Sequence, residues 1–380
     1  MAQPALPVPD DLLEEIFVRL PTAADLTRAS MSCVSFLHVI SGHRFLRRFR
    51  ILHPPPLLGI LCGNLIPAQP PHPSAAAAAT FANADFSCSF LPPSRDHWCL
   101  REVRDGRALF SPALEGTDQD YNPRDLVREF AVCDPLHRRY LVLPAIPDDL
   151  ANQVHQPDIV ECEPFLAPPG DGEKDSSFRV MCLVRYRDRL VLFVFSSCAG
   201  KWLSHPVTFD MFGGSASQRY YAHLCFCWEI YRADKLLVLD TRRMEFCAIS
   251  LPPAPGRAMR EMAIVEIAEG RFGMFTISDQ IEYGVYHLLY AVQCMGENGA
   301  NQWQPKSVIS LPLNYHYGIM GVGGGYLLLN GYPEDDREAV DYFSLNLQTF
   351  QIEWFFQTGY CVIIGDLYAD FPPSLSTPTI

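Results

Sequence analysis

The chain has 380 residues, 48% of them apolar and 12% aromatic, which is enough for a packed core in two or three domains and too hydrophobic for a disordered chain. Its formal net charge of −13 argues against a general affinity for nucleic acid, whose phosphates demand a basic face. Thirteen cysteines, odd in number, scattered and without a C-x-x-C pair, point to reduced thiols rather than a secreted disulfide scaffold.

The first element is an amphipathic helix. Leu12, Leu13, Ile16, Phe17 and Leu20 recur at i, i+1, i+4, i+5 and i+8, while Asp10, Asp11, Glu14, Glu15 and Arg19 fill the other face. Asp10 or Asp11 is placed to cap the first turn, with Glu14 at capping-box spacing from Asp11, and Pro21 stops the helix for want of a backbone N–H. Thr22 then caps a second short helix, with Asp25 three residues on. Cys33, Phe36, Leu37 and Ile40 predict a third helix that ends near Gly42. Three short helices in about forty residues cannot hide this much apolar surface from water by themselves.

The order Pro9, Asp10, Leu12-Leu13, Ile16-Phe17, Leu20-Pro21, Leu26, Cys33 and Phe36 resembles the F-box, across roughly residues 6 to 50. Two positions depart from the family pattern: its usual Leu before Pro9 is Val8, and its usual Trp is Phe36, both still apolar. The continuation FLRRFRILHPPPLLGILC resembles the large F-box families of plants, grasses in particular. The resemblance implies a helical module that docks a Skp-type adaptor and, through it, a cullin. It also implies the contact residues, namely Pro9, Leu12, Leu13, Ile16, Phe17, Leu20, Pro21, Leu26, Cys33 and Phe36, some of which must pack the module's own core. Arg44, Arg47, Arg48 and Arg50 read most simply as a solvated helix face.

After residues 1–50, His53-Pro54-Pro55-Pro56 marks a junction at 51–56, and residues 67–80 (PAQPPHPSAAAAAT) read as a flexible low-complexity loop. Residues 57–380 are β-rich. Strand patterns cover 98–103, 108–110, 129–132, 180–186, 190–195, 224–231, 235–240, 285–292 and 326–329, several joined by tight turns such as Arg104-Asp105-Gly106. A phrase of strand, polar turn, aromatic, short strand and Leu-Pro recurs at 132–147, 237–255 and 301–314, with looser copies at 193–206 and 343–356. Units of this size, each with about four strands, are what a β-propeller requires. The expected fold is therefore α+β and multidomain: a small N-terminal three-helix module followed by an all-β propeller of six or seven blades, a layout that resembles F-box-associated and kelch-like propellers. A large β-sandwich or a pair of smaller β-domains is the chief rival.

Motifs that would signal chemistry fail on inspection. His223, Cys225 and Cys227 alternate and would share a strand face, but no fourth metal ligand stands nearby and cysteines are common in strand cores. Gly321 to Gly325 precedes a strand instead of opening a helix, so it lacks the dipole that a phosphate would need. Ser197 to Lys201 lacks the upstream Gly of a phosphate loop, and Gly213 to Ser217 misses the last Gly of a nucleophile elbow. Asp148-Asp149 and Glu334 to Asp336 read as solubilising loop charge.

The sequence thus predicts no catalytic residue, cofactor or metal, and no nucleic-acid or membrane partner. With no leader pattern, no N-x-S/T acceptor and no run of eighteen apolar residues, the expected location is cytosol or nucleus. The function that fits is the substrate receptor of an SCF-type ubiquitin ligase, the helices holding the adaptor and the β-domain an unknown protein substrate. The alternatives are a propeller enzyme, a carbohydrate-binding propeller, or an F-box scaffold outside the ligase. Candidate recognition loops span 151–177, 209–219 and 330–341.

Overall fold

The structure is a computed structural model that describes residues 8–20, 23–42, 45, 48–49, 52–53, 56–81, 83–92, 98–112, 127–152, 158–170, 177–186, 189–207, 216–230, 234–252, 261–267, 270–278, 285–295, 301–335, 338–359 and 365–369. The chain divides into two compact units, Met1–Pro56 and Leu57–Ile380.

The first unit contains α1 (Asp10–Phe17), α2 (Ala23–Ser30) and α3 (Val34–Ile40). Their apolar faces converge on a small core of Leu13, Phe17, Val18, Leu26, Val39, Ile40, Phe45 and Phe49. The ring of Phe17 sits edge-to-face with Phe36 at 4.9 Å and with Phe45 at 6.5 Å. Two expectations are corrected here. The N-cap of α1 is Pro9, with no side-chain cap from Asp10 or Asp11, because the carbonyl of Pro9 takes the N–H groups of Leu12 and Leu13. The helix also closes before Leu20, at Phe17 and Val18, and Leu20 N–H folds back onto the Phe17 carbonyl. Thr22, expected to cap α2, lies outside the described residues.

The second unit is a six-bladed propeller, at the lower of the two expected blade counts. Five blades are four-stranded antiparallel meanders, each running from the axis outward. Blade A is β3 (Trp98–Arg104), β4 (Arg107–Pro112), β5 (Ala131–Asp134) and β6 (Arg139–Val142); blade B is β7 (Glu161–Ala167), β8 (Arg179–Arg185), β9 (Leu190–Ser196) and β10 (Lys201–Val207). Blade C is β11 (Ala216–Ala222), β12 (Cys225–Ile230), β13 (Lys235–Asp240) and β14 (Glu245–Ser250). Blade D is β15 (Met262–Ile267), β16 (Arg271–Ile277), β17 (His287–Met295) and β18 (Asn301–Ser310), and blade E is β19 (Tyr315–Gly323), β20 (Tyr326–Pro333), β21 (Ala339–Asn346) and β22 (Ile352–Gly359).

Both ends of the unit build the sixth sheet. β1 (Gly59–Leu61) and β2 (Leu65–Pro67) join β23 (Asp366–Tyr368), in the order β2-β1-β23, with Gly59 opposite Tyr368 and Leu61 opposite Asp366. The inner strand of this blade F is therefore β23, which lies between β19 and β3 and closes the ring.

Burial follows radius. Middle strands such as β8 and β9 are covered on both faces by neighbouring blades and read as continuous apolar runs, whereas β6 is exposed along its whole length. The recurrent sequence phrase is the hairpin between third and fourth strands. In blades A, B, C and E its first residue, Asp134, Ser196, Asp240 or Asn346, accepts N–H groups two or three residues on. Four residues later the chain turns through positive φ at Arg138, Gly200, Met244 and Phe350. That pairing of a side-chain acceptor with a left-handed residue is an Asx-type turn tuned to a four-residue connection. The Leu of each Leu-Pro pair, Leu143, Leu251 and Leu311, is buried just beyond its outer strand.

Three expected recognition loops are corrected. β7 crosses the middle of 151–177, β11 begins inside 209–219, and β20 and β21 enter 330–341 from either side. Of the inner strands, β3 was expected at 98–103, whereas β7, β11, β15 and β19 were not; in β7 the charged Glu163, which pairs with Arg219, interrupts the apolar alternation. Residues 67–80 are likewise no loop throughout: Pro67 ends β2 and Ala75–Ala79 form the helix α4, with Ala78 buried. Five consecutive alanines need only a small pocket, and alanine has the best helix propensity. The final helix, α5 (Asp148–Ala151), contains the first of the expected acidic loops, with Asp148 and Asp149 in its opening turn.

Candidate functional site

The first unit divides the predicted contact residues by helix geometry. Leu13 and Phe17, four apart on α1, are buried, and Leu26 of α2 joins them. Leu12 and Ile16, one step around the same helix, are each 55% exposed, and Pro9 at the N-cap is exposed beside them. Leu20 and Phe36 are partly covered at the edge of the core. Cys33 is exposed as the N-cap of α3, its Sγ accepting the Phe36 N–H at 3.4 Å. Pro21 lies outside the described residues.

Further apolar side chains stand in solvent that are not among the contact residues the resemblance implied. Met31 is 81% exposed, Val34 83% and Leu37 52%. They surround the start of α3 and lie in the same unit as Val8, Leu12 and Ile16. Exposed large hydrophobics in this density, in a unit of under sixty residues, make a candidate docking surface. Its polar edge is fixed: Arg48 donates to Glu15, which holds the Glu15 carboxyl below its usual range, and His53 Nε2 meets the Val18 carbonyl at 2.8 Å. Arg48 thus serves the fold of this unit, while Arg44, Arg47 and Arg50 lie outside the described residues.

The second unit holds a charge cluster at the axis that no sequence motif announced. Glu102 on β3 lies 2.8 Å from Arg104 and 2.9 Å from Arg219 on β11, and accepts the Leu166 N–H of β7. Arg219 also donates to Glu163 of β7, whose other oxygen takes the Trp228 indole N–H at 2.8 Å. Asp366 on β23 accepts the Val103 N–H at 2.8 Å. The guanidinium of Arg104 lies over the Tyr221 ring and that of Arg219 over Phe165. Burial works against the charge of Glu102, but Arg219 and Arg104 outweigh it and hold its carboxyl below the usual range. These bonds tie blades A, B, C and F to one another.

A second constellation has the composition of a hydrolytic triad. His72 Nε2 is 2.9 Å from Ser344 Oγ and 3.7 Å from Glu353 Oε2. However, His72 Nδ1 accepts the Ser74 N–H, so the ring proton sits on Nε2 and is donated to Ser344. A general base would need that nitrogen free, and both Ser344 and His72 are buried. The group instead fastens the segment after β2 to blade E.

The His223, Cys225 and Cys227 set does not assemble. His223 sits at positive φ in the turn before β12, its Nε2 2.8 Å from the Arg271 carbonyl, and burial pushes the Cys225 thiol up to about 11. No group of three metal-ligating side chains occurs among the described residues. Gly321 to Gly323 belong to β19, with a bulge between Ile319 and Gly321, and Gly324 and Gly325 make the turn into β20 at positive φ.

No protein-family model matches the chain, and no curated protein matches it in sequence. Among solved structures it is similar to the β-propeller domain of the Trilobed protease from Pyrococcus furiosus, at 7% identity and a TM-score of 0.35, over 68% of this chain and 71% of that one. It is also similar to an α-L-arabinanase from Penicillium chrysogenum, at 12% identity and a TM-score of 0.35, over 68% and 78%. The WD40 domain of SCAP from fission yeast matches at 10% identity and a TM-score of 0.29, over 72% and 66%. A post-proline cleaving enzyme from Rickettsia typhi matches at 8% identity and a TM-score of 0.32, over 68% of this chain but only 36% of that one. At these scores the likenesses carry no argument about function.

Proposed function

We propose that this chain is the substrate receptor of an SCF-type ubiquitin ligase, a plant F-box protein of the cytosol or nucleus. The observation that carries the reading is the exposed apolar face of Pro9, Leu12 and Ile16 in a unit whose core is already complete without them. The Skp-type adaptor covers that face and brings the cullin with it. The receptor performs no bond chemistry; holding a substrate beside a ubiquitin-charged enzyme raises the effective concentration of target lysines.

Propeller topology favours one rim for the substrate. Strands alternate in direction, so turns within the first and third hairpins of every blade leave from one end of the ring, and all other connections leave from the opposite end. The first set is mostly short, as at Asp105-Gly106, His223-Leu224 and Gly324-Gly325. The second contains long stretches between β4 and β5, β6 and β7, and β14 and β15, and longer connections are where recognition is built.

Co-expression of the full chain with a Skp-type adaptor and a cullin tests the assignment. A stoichiometric ternary complex on size exclusion is expected; a chain that elutes apart from both partners overturns it.

A further inference from the structure

Blades D and E meet at the rim that carries the longer connections, and four rings gather there. Tyr315 and Tyr317 stand at the start of β19, Tyr286 precedes β17, and Phe343 lies on β21. Tyr317 touches the other three, with ring centroids 5.9 Å from Tyr286, 5.7 Å from Tyr315 and 5.6 Å from Phe343. Gly331, opposite Tyr317 in the ladder, makes room for them, since a Cβ there would lie 3.0 Å from the Tyr315 ring and 2.9 Å from that of Phe343. The hydroxyl of Tyr286 is held 2.6 Å from His316 Nδ1. Tyr317 and Phe343 are buried, whereas Tyr286 and Tyr315 stay partly open to solvent.

Beside these rings sits a carboxylate without a cation. Asp341 is only 4% exposed, and its two oxygens accept from neutral donors, Tyr315 Oη at 3.0 Å and the Trp354 indole at 2.8 Å. Glu334 is exposed at the same rim, its N–H bound to the carbonyl of Asn314, the residue before Tyr315. Among the described residues, no Arg or Lys stands within ion-pair distance of either carboxylate. A buried charge left in that condition is costly until a counter-charge reaches it.

Elsewhere the chain fills the same combination of ring and carboxylate with its own arginines. Arg219 lies over Phe165 and bonds Glu163, Arg104 lies over Tyr221 and bonds Glu102, and Arg138 lies over Phe90 with Asp85 at 3.3 Å. A guanidinium suits such places because its flat faces stack on rings while its edge donates to a carboxylate. We propose that the rim between blades D and E binds an arginine side chain of a docked protein. Tyr286 and Tyr315 receive the guanidinium, and Asp341 and Glu334 supply its counter-charge. This rests on the reading of the β-unit as a substrate receptor and names the chemistry that the receptor reads.

Fluorescence anisotropy of labelled Gly-Ser peptides that carry arginine, norleucine or glutamate at the same central positions tests this on the full chain. The arginine peptide should bind saturably, and the other two about tenfold more weakly or not at all. Asp341→Asn keeps one oxygen acceptor and removes the charge, while Tyr286→Ala and Glu334→Gln alter side chains open to solvent. Each should weaken the arginine peptide by about three- to tenfold. Glu129→Gln, an exposed acid of the same rim on blade A, should leave it unchanged. No saturable binding at millimolar peptide, or equal losses for Glu129→Gln and Glu334→Gln, overturns the proposal. If Asp341→Asn fails to fold, the two solvent-exposed variants decide. The readout needs no adaptor: arginine-selective binding by a chain that forms no ternary complex keeps the site and removes the ligase reading, and a ternary complex without such binding does the reverse.

Discussion

The indole N–H of Trp202, on the outermost strand of blade B, donates at 2.7 Å to the carbonyl of Pro144, just past the outermost strand of blade A. Trp303 repeats the arrangement one pair of blades further on, donating to Ser250 at 2.9 Å beside Leu251-Pro252. The aromatic residue of one blade thus covers the Leu-Pro corner of the blade before it. Trp202→Phe removes the bond and keeps most of the ring, so unfolding of the full chain should become easier by about 1 kcal/mol. Trp202→Ala also opens a cavity against Phe130 and Phe195, for a loss of roughly 3–5 kcal/mol. Denaturant midpoints of the two variants check this, and equal losses would contradict it.

Helix geometry in the first unit separates binding from folding. Leu12→Ala with Ile16→Ala truncates side chains that lie more than half in solvent and outside the core cluster, so circular dichroism should be unchanged while, on the proposed function, adaptor affinity falls by about 2 kcal/mol or more, roughly thirtyfold. Leu13→Ala, one residue away but buried, should cost roughly 2–5 kcal/mol of stability in this unit. Titration calorimetry and thermal melts distinguish the two; a double variant that binds at wild-type strength refutes the assigned face.

Burial lowers the His72 imidazole below its usual value, so the folded state keeps it neutral. The unfolded chain binds that proton more readily, and stability from this site is therefore present above about pH 6.5 and lost as pH falls through it. His72→Gln, which can still donate to Ser344, should flatten this part of the pH profile. Urea unfolding followed between pH 5 and 8 would reveal the flattening, and a variant profile that parallels wild type would contradict it.

Among the described residues, the rim with the longer connections exposes Glu129, Asp148, Asp149, Asp234, Glu334 and Glu338, set against Arg189 and the Arg128 that pairs with Asp148. A substrate segment that docks on it should be rich in Lys or Arg, and its affinity should fall as salt rises from 50 to 300 mM, since exposed pairs are screened beyond about 10 Å at 0.1 M. Binding of captured substrates that is insensitive to salt would place recognition elsewhere.

What the sequence disclosed and what it hid follow from where each residue faces. The outer hairpins were legible because Asp134, Asp240 and Asn346 and the strands around them obey local turn and strand chemistry. Inner strands β7 and β11 were not, because Glu163 and Arg219, which pair with each other 56 positions apart, break the apolar alternation, although β3 with Glu102 was legible at 98–103. In the first unit the apolar stripe of α1 was visible, but its division into Leu13 and Phe17 inside and Leu12 and Ile16 outside required the positions of α2, α3 and Phe45. Met31 and Val34 carried no signal, as Met31 stands between two serines and Val34 lies off the stripe of Cys33, Phe36, Leu37 and Ile40.

Because β23 supplies the inner strand of the same blade as β1 and β2, the propeller cannot complete its circle until residue 368 has been synthesised. The helical unit is finished some three hundred residues earlier. At about 5–20 residues per second, a ribosome carries an exposed Leu12 and Ile16 for tens of seconds before the ring can close. On the proposed function, an adaptor present during that interval would meet its binding face on a chain still unable to hold a substrate, so assembly of the receptor would precede its competence.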